Sequence, residues 1–359
     1  MSASTTMQSP RANGRSPGAP VRLGIVGCGA VVRHYHLPAI VGLDNVTVSA
    51  LCDLNRPQAE RLRRQFRLTG EVTDNLQALA GRVDAALVAV APRQHASVSI
   101  RLIEMGIDVC CEKPMASSVA EAERMIDAAT KHQRRLAVAQ WCRFLPNLPL
   151  LRNLVLDGFI GDVQEITAEF GGPLDWPMES PTYFSRESTA GGVFFDTGVH
   201  MVDALLWLFG DMSDLEYSDD SLGGVEANAE LRGSMVVNGR KVPVRLSFSW
   251  TDVRRNGIRV QGGAGSAFAS PSMPEAVVVR RSYAGGPLEM LVCRQGWNPA
   301  RTAADSFLDQ MKDFIAAVAE GREPFVPATS AIHALRVIAQ AYATRRQLPQ
   351  PWVSPPLVP

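Results

Sequence analysis

The first part of the chain alternates between short apolar runs and helical stretches of about ten residues, and no other feature of the sequence restricts its fold as strongly. Strands that alternate with helices of this length predict βαβ crossovers and a parallel sheet. Strands that are apolar throughout are typical of a sheet covered on both faces. We therefore predict a doubly wound α/β domain. Its predicted strands are Val21–Val26, Val46–Cys52, 85–90, 107–111 and 136–139, and its predicted helices are 31–43, 57–66, 97–105 and Val119–Lys131.

The pattern changes near Arg143, where apolar and polar residues begin to alternate along the predicted strands. Such alternation, with turns such as Asn238-Gly239, predicts a largely antiparallel sheet with one solvated or interface face. We therefore expect an α+β second domain, with strands at 163–170, 230–237, 242–250 and 276–281 and helices at 147–157, 303–320 and 329–346. The predicted divisions are a disordered arm at 1–20, a first domain at 21–142, a second domain at 143–348 and a proline-rich tail at 349–359.

Composition narrows the possible partners. The chain has 36 basic and 36 acidic residues and a formal net charge of zero, so no electrostatic footprint for nucleic acid or an anionic membrane is expected. No apolar stretch is long enough to span a bilayer, and residues 1–20 lack the apolar region of a secretory signal. We therefore expect a soluble, cytoplasmic protein that binds a small molecule.

The six cysteines form no CxxC pair. Most of them lie in or beside apolar runs, which favours buried free thiols in a reducing compartment over disulfides or a metal centre.

A glycine-rich turn joins the first predicted strand to the first predicted helix. Gly27 permits a tight turn, Gly29 lets the backbone approach a pyrophosphate, and the following helix start offers N–H groups to that anion. The same pattern also occurs in ordinary strand–helix turns. The predicted cofactor-binding residues of this segment are Gly27, Gly29, Ala30, Val31 and Val32, the last of which stands where a small residue is usual in a Rossmann fingerprint.

Asp53 strengthens the dinucleotide interpretation because it ends the second predicted strand. An acidic side chain there accepts hydrogen bonds from ribose hydroxyls and repels a 2′-phosphate, which favours NAD over NADP. Arg56, three residues later, would soften that preference. An Asx turn or a helix cap is the alternative role for Asp53, and the two roles can coexist.

Two further segments carry candidate catalytic residues. Lys113 follows the fourth predicted strand, where ligands bind in open α/β sheets, and a lysine there can stabilise developing alkoxide charge. A surface ion pair is the alternative for this lysine. Asp196, His200 and Asp203 share one helical stripe, and carboxylates beside a histidine raise its pKa and fix its tautomer, as a general base requires. A helix cap and a buried core histidine are the alternatives, and the set is a poor zinc site.

With these residues assembled, the sequence resembles the Gfo/Idh/MocA oxidoreductase family nearly from end to end. The matching motifs are GIVGCGAVV, HLPAI at 36–40, Cys52-Asp53, AP..H at 91–95, CEKP at 111–114, RF.P at 143–146, IGDV at 160–163 and GGVFFDTGVHMVD..LWLFG at 191–210. Ala190 departs from the pattern, because a third glycine is common before Gly191.

The resemblance implies roles for many of these residues. Lys113, Asp196 and His200 are then the catalytic set, with His200 as acid and base, Lys113 polarising the reacting oxygen and Asp196 orienting the substrate and the histidine. It also implies a large, mostly antiparallel second sheet, often used to form dimers or tetramers. Further cofactor contacts implied by the resemblance are Ala91, Pro92, His95, Glu112, Lys113 and Arg143, with Trp141 near the nicotinamide end as an expected substrate contact. Substrate specificity is expected in the loop 171–189, where Trp176 and Tyr183 are the expected substrate contacts; no metal is expected.

Three functions follow as hypotheses. The first is an NAD-dependent dehydrogenase or reductase acting on a secondary alcohol or ketone of a sugar, cyclitol or related polyol. The second is a redox-neutral enzyme of the same family that keeps NAD bound while it processes a glycoside. The third is a non-catalytic sensor that binds a dinucleotide and a protein partner.

Overall fold

The computed structural model describes residues 18–175, 184–283 and 285–348, apart from the side chains of residues 186 and 188. The chain divides into two compact units. The first contains residues 18–116, 120–139 and 307–330, and the second contains residues 117–119, the described residues of 140–306, and 331–348.

The first unit is built on a six-stranded parallel sheet in the order β3-β2-β1-β4-β5-β6. This is the order of the doubly wound dinucleotide-binding fold, in which the chain reverses direction across the sheet between β1 and β4. The strands are β1 (Val21–Val26), β2 (Val46–Cys52), β3 (Glu71–Thr73), β4 (Ala85–Val88), β5 (Asp108–Cys111) and β6 (Leu136–Val138). The helices are α1 (Leu37–Ile40), α2 (Arg56–Gln65), α3 (Pro92–Glu104) and α4 (Val119–Lys131), with a π-helical turn at Val32–His36 and a 3-10 turn at Leu76–Leu79.

The predicted α/β architecture of this unit is confirmed, with differences at single elements. Strand β3 was missed because three residues carry too little periodicity to be recognised. Helix α3 begins at Pro92 instead of residue 97, since proline is well suited to the first turn of a helix. The helix predicted over 31–43 is interrupted by the π-helical turn before α1.

Helix α8 (Asp305–Glu320) differs from the predicted domain division. It was predicted to lie in a second domain at 143–348, whereas residues 307–330 belong to the first unit. The reason is packing, because Met311, Phe314, Ile315 and Val318 join the apolar core formed by β1, β2 and β4. The core of the first unit is therefore completed by a segment far along the chain.

The second unit contains a nine-stranded sheet in the order β14-β13-β12-β11-β7-β10-β9-β8-β15. Neighbouring strands are antiparallel except for the β10–β7 and β15–β8 pairs. The strands are β7 (Val163–Gly171), β8 (Met212–Asp219), β9 (Asn228–Val237), β10 (Arg240–Ser249), β11 (Gly257–Gly262), β12 (Gly265–Ala269), β13 (Ala276–Tyr283), β14 (Gly286–Cys293) and β15 (Arg346–Gln347). The helices are α5 (Asn147–Leu156), α6 (Arg186–Thr189), α7 (Val199–Phe209) and α9 (Ala328–Ala343), with a 3-10 turn at Trp141–Phe144 and a π-helical turn at Phe194–Gly198.

The predicted mostly antiparallel sheet is confirmed, but only four of its strands are identified from the sequence alone. β8 contains two aspartates and two serines and shows weak alternation. β11 and β12 are short and joined by glycines, which read as a loop. Cross-strand pairing stabilises these segments despite their weak local preference.

Within 18–175, 184–283 and 285–348, no helix combines the length and the apolar character needed to cross a bilayer. All six cysteines are free, and all are buried except Cys293, which is half-buried.

Candidate cofactor and catalytic sites

The glycine-rich turn has the geometry that a dinucleotide requires. Gly27 adopts φ +90°, and a Cβ atom there would lie 2.4 Å from the Ala89 carbonyl oxygen at the end of β4. A Cβ atom on Gly29 would meet nothing within 4 Å, so open space lies beside the helix start. The Gly29 carbonyl accepts the Arg33 N–H at 3.1 Å, so the N–H groups of the intervening residues have no acceptor within the helix. These residues therefore fit a pyrophosphate.

The Asp53 carboxylate fixes this turn from the end of β2. Its Oδ2 accepts the Cys28 N–H at 2.7 Å, and its Oδ1 accepts the Asn55 N–H at 2.7 Å in an Asx turn. Gln58 adds a hydrogen bond to the Cys28 carbonyl at 2.8 Å. Each carboxylate oxygen has a second lone pair, so Asp53 retains acceptor capacity for ribose hydroxyls. The helix-cap alternative for Asp53 is wrong, because Asn55 caps α2.

Arg56 is exposed, and its guanidinium donates to the Val72 carbonyl at 3.4 Å. Val32 is fully buried and begins the π-helical turn. π-Helical turns occur frequently at functional sites, and this one was not anticipated from the sequence. A larger residue at the third fingerprint position is therefore accompanied by a helix that departs from α geometry within its first turns.

The segment that carries Lys113 is held by two buried histidines. His36 Nε2 lies 2.6 Å from Glu112 Oε1, while Glu112 Oε2 accepts the Lys113 backbone N–H at 2.9 Å. Burial opposes ionisation of Glu112, but these hydrogen bonds outweigh it and lower the pKa of the carboxyl. His95 Nδ1 lies 2.7 Å from the Pro114 carbonyl oxygen. The main chain on both sides of Lys113 is thus anchored inside the first unit.

His95 has its other ring nitrogen 3.0 Å from the Val90 carbonyl oxygen. Burial lowers the pKa of His95, and the hydrogen bonds to the Pro114 and Val90 carbonyls oppose that change. His95 and Glu112 therefore have structural partners that the sequence did not reveal. The contacts of Ala91, Pro92, His95 and Glu112 with a cofactor stay predictions.

In the second unit, a buried carboxylate caps the helix that carries Asp196 and His200. Glu226 Oε1 accepts the N–H groups of Gly192 (2.9 Å) and Phe194 (3.1 Å), and the Tyr342 hydroxyl donates to it at 2.6 Å. Burial raises the pKa of Glu226, and the Tyr342 hydrogen bond opposes that rise. The cap defines where the helix begins and how it is oriented within its unit.

The glycine pair before this helix is explained by the same cap. A Cβ atom on Gly191 would lie 2.4 Å from the Tyr342 hydroxyl oxygen, and one on Gly192 would lie 2.1 Å from the Glu226 carbonyl oxygen. Ala190, the departure from the family pattern, adopts φ +70°, a conformation that favours glycine. The two glycines are therefore required because the Glu226 segment and Tyr342 approach this part of the main chain closely.

Asp196 is half-buried within the π-helical turn Phe194–Gly198, and His200 is buried in the first turn of α7. His200 Nδ1 lies 3.0 Å from Gln140 Oε1, and the Trp141 ring packs edge-on against the imidazole at 5.5 Å between centroids. The orienting group on the Nδ1 edge of His200 is therefore a neutral amide.

The third member of the predicted stripe serves another purpose. Arg143 Nε donates to Asp203 Oδ2 at 2.7 Å, and Arg143 Nη2 donates to Asp203 Oδ1 at 2.6 Å. Both side chains are buried, and burial raises the pKa of Asp203 while Arg143 opposes the rise. The expectation that Asp203 flanks the histidine as an orienting carboxylate is thus corrected, and Arg143, predicted to contact the cofactor, has a structural partner within the second unit.

Of the remaining predicted site residues, Trp176 and Tyr183 lie outside the described residues. In the part of the chain that the structure describes, no group of three or more His, Cys, Asp or Glu side chains is arranged to hold a metal ion. Four supporting residues were not predicted from the sequence: His36 contacts Glu112, Gln140 contacts His200, and Glu226 and Tyr342 form the cap of the helix that carries His200. His36 could have been identified because it belongs to the HLPAI motif, and the glycine pair indicates that another segment packs closely there. No local sequence feature identifies Gln140 or Glu226.

A parallel sheet of this order with a glycine turn at its switch point defines a dinucleotide-binding domain of the Rossmann class. Residues 21–140 match the oxidoreductase family GFO/IDH/MocA, described as an NAD-binding Rossmann fold, and residues 150–268 match the GFO/IDH/MocA C-terminal domain. The chain belongs to the Gfo/Idh/MocA oxidoreductase family.

The curated relatives include the rhizopine catabolism protein MocA of Rhizobium meliloti, 30% identical over 53% of this chain and 57% of that protein. They also include the D-glucoside 3-dehydrogenase of Escherichia coli, 30% identical over 54% of this chain and 55% of that protein. The chain thus matches little more than half the length of these relatives. Among solved structures, an oxidoreductase domain protein from Kribbella flavida is similar with a TM-score of 0.77 and 21% identity, over 91% of this chain and 97% of that one. That likeness shows a shared fold.

Proposed function

We propose that this protein is an NAD-dependent oxidoreductase that transfers hydride between nicotinamide and a secondary alcohol or ketone of a sugar, cyclitol or related polyol. One observation carries the proposal: a glycine turn that fits a dinucleotide occurs in the same chain as Lys113, Asp196 and His200. A pure binding module has no need of all three. Relatives that include a D-glucoside 3-dehydrogenase support the substrate class.

The proposed chemistry assigns one task to each residue. His200 removes the hydroxyl proton in the oxidative direction and returns it in the reductive direction, a role that typically contributes a factor of about 10² to 10⁴ in rate. Lys113, held by its backbone bond to Glu112, donates to the reacting oxygen and stabilises alkoxide charge. Asp196 orients the substrate, and Trp141, packed on His200, borders it. Nicotinamide, when bound, supplies the hydride acceptor or donor.

NAD is the proposed cofactor in preference to NADP. The Asp53 carboxylate is held in place by two backbone N–H groups at the end of β2. A fixed negative charge there accepts ribose hydroxyls and repels a 2′-phosphate. Asp53→Ser, which keeps a small acceptor but removes the charge, is expected to narrow the difference between the affinities for NADH and NADPH.

The test is a panel of polyols, sugars and cyclitols assayed with both NAD and NADP. Sustained NADH formation with one class of polyol, abolished in Lys113→Ala and His200→Ala but retained in the distant control Lys241→Ala, would support the proposal. Tightly held, unexchanging nicotinamide without net turnover would favour the redox-neutral glycoside enzyme instead. If both active-site variants retained every biological effect of the protein, the sensor hypothesis would replace catalysis.

We also propose a homodimer or homotetramer. The expected use of the second sheet for association supports this, and Leu288 and Leu291 on the edge strand β14 are about half-exposed apolar side chains. Light scattering after size exclusion should give two or four times the mass of one chain, and a monomer mass would contradict the proposal.

A further inference from the structure

Gln140 is the residue that this structure places against the candidate base. It follows β6, is 1% exposed, and presents Oε1 to His200 Nδ1 at 3.0 Å. An amide oxygen only accepts hydrogen bonds, so the contact requires a proton on Nδ1. In a neutral imidazole the other nitrogen, Nε2, then has the basic lone pair.

We propose that Gln140 is a positioning residue that holds His200 in the Nδ1-protonated tautomer, so that Nε2 is the nitrogen that exchanges a proton with the substrate. This inference rests on the proposed function for its catalytic meaning. The hydrogen bond and the tautomer it imposes are properties of the protein alone.

The neighbouring contacts fix the imidazole ring in one plane. Trp141, the next residue, meets the ring at 63° with a centroid distance of 5.5 Å. Gln140 and Trp141 therefore hold the imidazole at one edge and against one side. A ring fixed in this way loses little freedom when it transfers a proton.

The charge of the side chain that orients His200 influences the pH range in which the imidazole can act as a base. A carboxylate beside the imidazole would stabilise the charged form and raise its pKa, whereas a neutral amide has no such effect. Among the described residues of the second unit, the charged or titratable groups near this segment include Asp196 and Asp203 on the same helical segment, Arg143 in the 3-10 turn and His333 on α9, which acts on Asp203. Asp203 and Arg143 neutralise each other in a bidentate pair. Gln140 therefore places no charge of its own against the imidazole of His200.

The direct test is nitrogen NMR of protein labelled with ¹⁵N-histidine. The chain has six histidines, and a His200→Asn variant assigns the signal. We expect the wild type to show the Nδ1–H tautomer at this position, and Gln140→Leu to shift the population toward the Nε2–H tautomer. The same tautomer in wild type and Gln140→Leu would overturn the inference.

Gln140→Glu supplies a nearly isosteric second variant. Its carboxylate should raise the pKa of His200 by about one unit or more, measured from the same NMR signal against pH. Gln164→Glu, an exposed position on β7, is the matched control and should leave that pKa unchanged. An unchanged pKa in Gln140→Glu would overturn the inference even if Gln140→Leu failed to fold.

Kinetic measurements with a substrate from the panel test whether Gln140 affects catalysis. The acid limb of the kcat/KM profile should move upward by about one pH unit in Gln140→Glu, with the Kd for NADH unchanged. The two failures are distinguishable: a chain without dehydrogenase activity but with the predicted tautomer contradicts the proposed function alone. An active chain whose His200 tautomer ignores Gln140 contradicts this inference alone.

Discussion

Replacing Arg143 by leucine tests whether burial determines how much an ion pair contributes to the stability of this protein. Arg143 and Asp203 are joined by two hydrogen bonds of 2.7 and 2.6 Å, and their side chains are 5% and 1% exposed. The pair formed by Arg240 and Asp162 is equally short at 2.6 Å, but its side chains are 62% and 68% exposed. The second unit therefore contains its own matched control.

The expected magnitudes differ strongly between these pairs. Removing one partner of a buried pair leaves an uncompensated charge and costs about 3–5 kcal/mol. An exposed pair contributes about 0–1 kcal/mol. For a unit of this size each kcal/mol shifts Tm by about 2–4 °C, so Arg143→Leu should lower Tm by about 6–20 °C and Arg240→Leu by at most about 4 °C.

The double variant Arg143→Leu/Asp203→Leu separates charge from packing. Replacing both partners by apolar side chains leaves no unpaired charge and is often nearly neutral. The double variant should therefore be more stable than Arg143→Leu alone. Differential scanning calorimetry of the full chain measures all four proteins.

The loss of stability in Arg143→Leu should also depend on pH. Burial raises the pKa of Asp203, and Arg143 opposes this rise, so removing Arg143 raises the pKa further. An acid whose pKa is raised in the folded state binds more protons than in the unfolded chain, and its stability contribution is lost as pH rises through the folded pKa. The Tm deficit should thus be larger at pH 8 than at pH 5.

Two results would refute this reasoning. Equal Tm losses in Arg143→Leu and Arg240→Leu would mean that burial does not determine how much an ion pair contributes to stability. An unchanged Tm together with a weakened Kd for NADH would mean that Arg143 acts chiefly on the cofactor, as the sequence resemblance implied.

Three further predictions concern the cap of the Asp196–His200 helix, each read from Tm by calorimetry. Gly192→Ala should destabilise the protein by about 1–3 kcal/mol or more, because its Cβ atom would overlap the Glu226 carbonyl. Gly172→Ala is the control, since open space lies beside Gly172, and its stability should change little. Equal losses of stability in the two variants would contradict this prediction. Ala190→Gly should stabilise the protein by about 1 kcal/mol by relieving φ +70°, and no gain would show that the backbone relaxes there. Tyr342→Phe removes a donor to buried Glu226 and should cost about 1–3 kcal/mol. That cost should be greater at pH 8 than at pH 5, since burial raises the pKa of Glu226 and the loss of Tyr342 raises it further; a pH-independent cost would contradict the assignment.

Local patterns were sufficient to predict the elements that depend on local physics. The parallel strands of the first unit are recognisable because each is apolar throughout, and the turn at Gly27 because few residues other than glycine adopt φ +90° beside a neighbouring strand. Strand β8 and the β11–β12 hairpin escaped prediction because they are stabilised by pairing with neighbours more than by their own composition.

The sequence by itself determined the α/β architecture of the first unit, the glycine turn with Asp53, and the family motifs that contain Lys113, Asp196 and His200. These depend on periodicity and on residues close together in the chain. Only the tertiary structure decided how the polar side chains are paired: His36 with Glu112 across 76 residues, Gln140 with His200 across 60, and Tyr342 with Glu226 across 116. The physical reason is that a buried polar group must find a partner wherever the topology supplies one, and sequence distance carries no information about that choice.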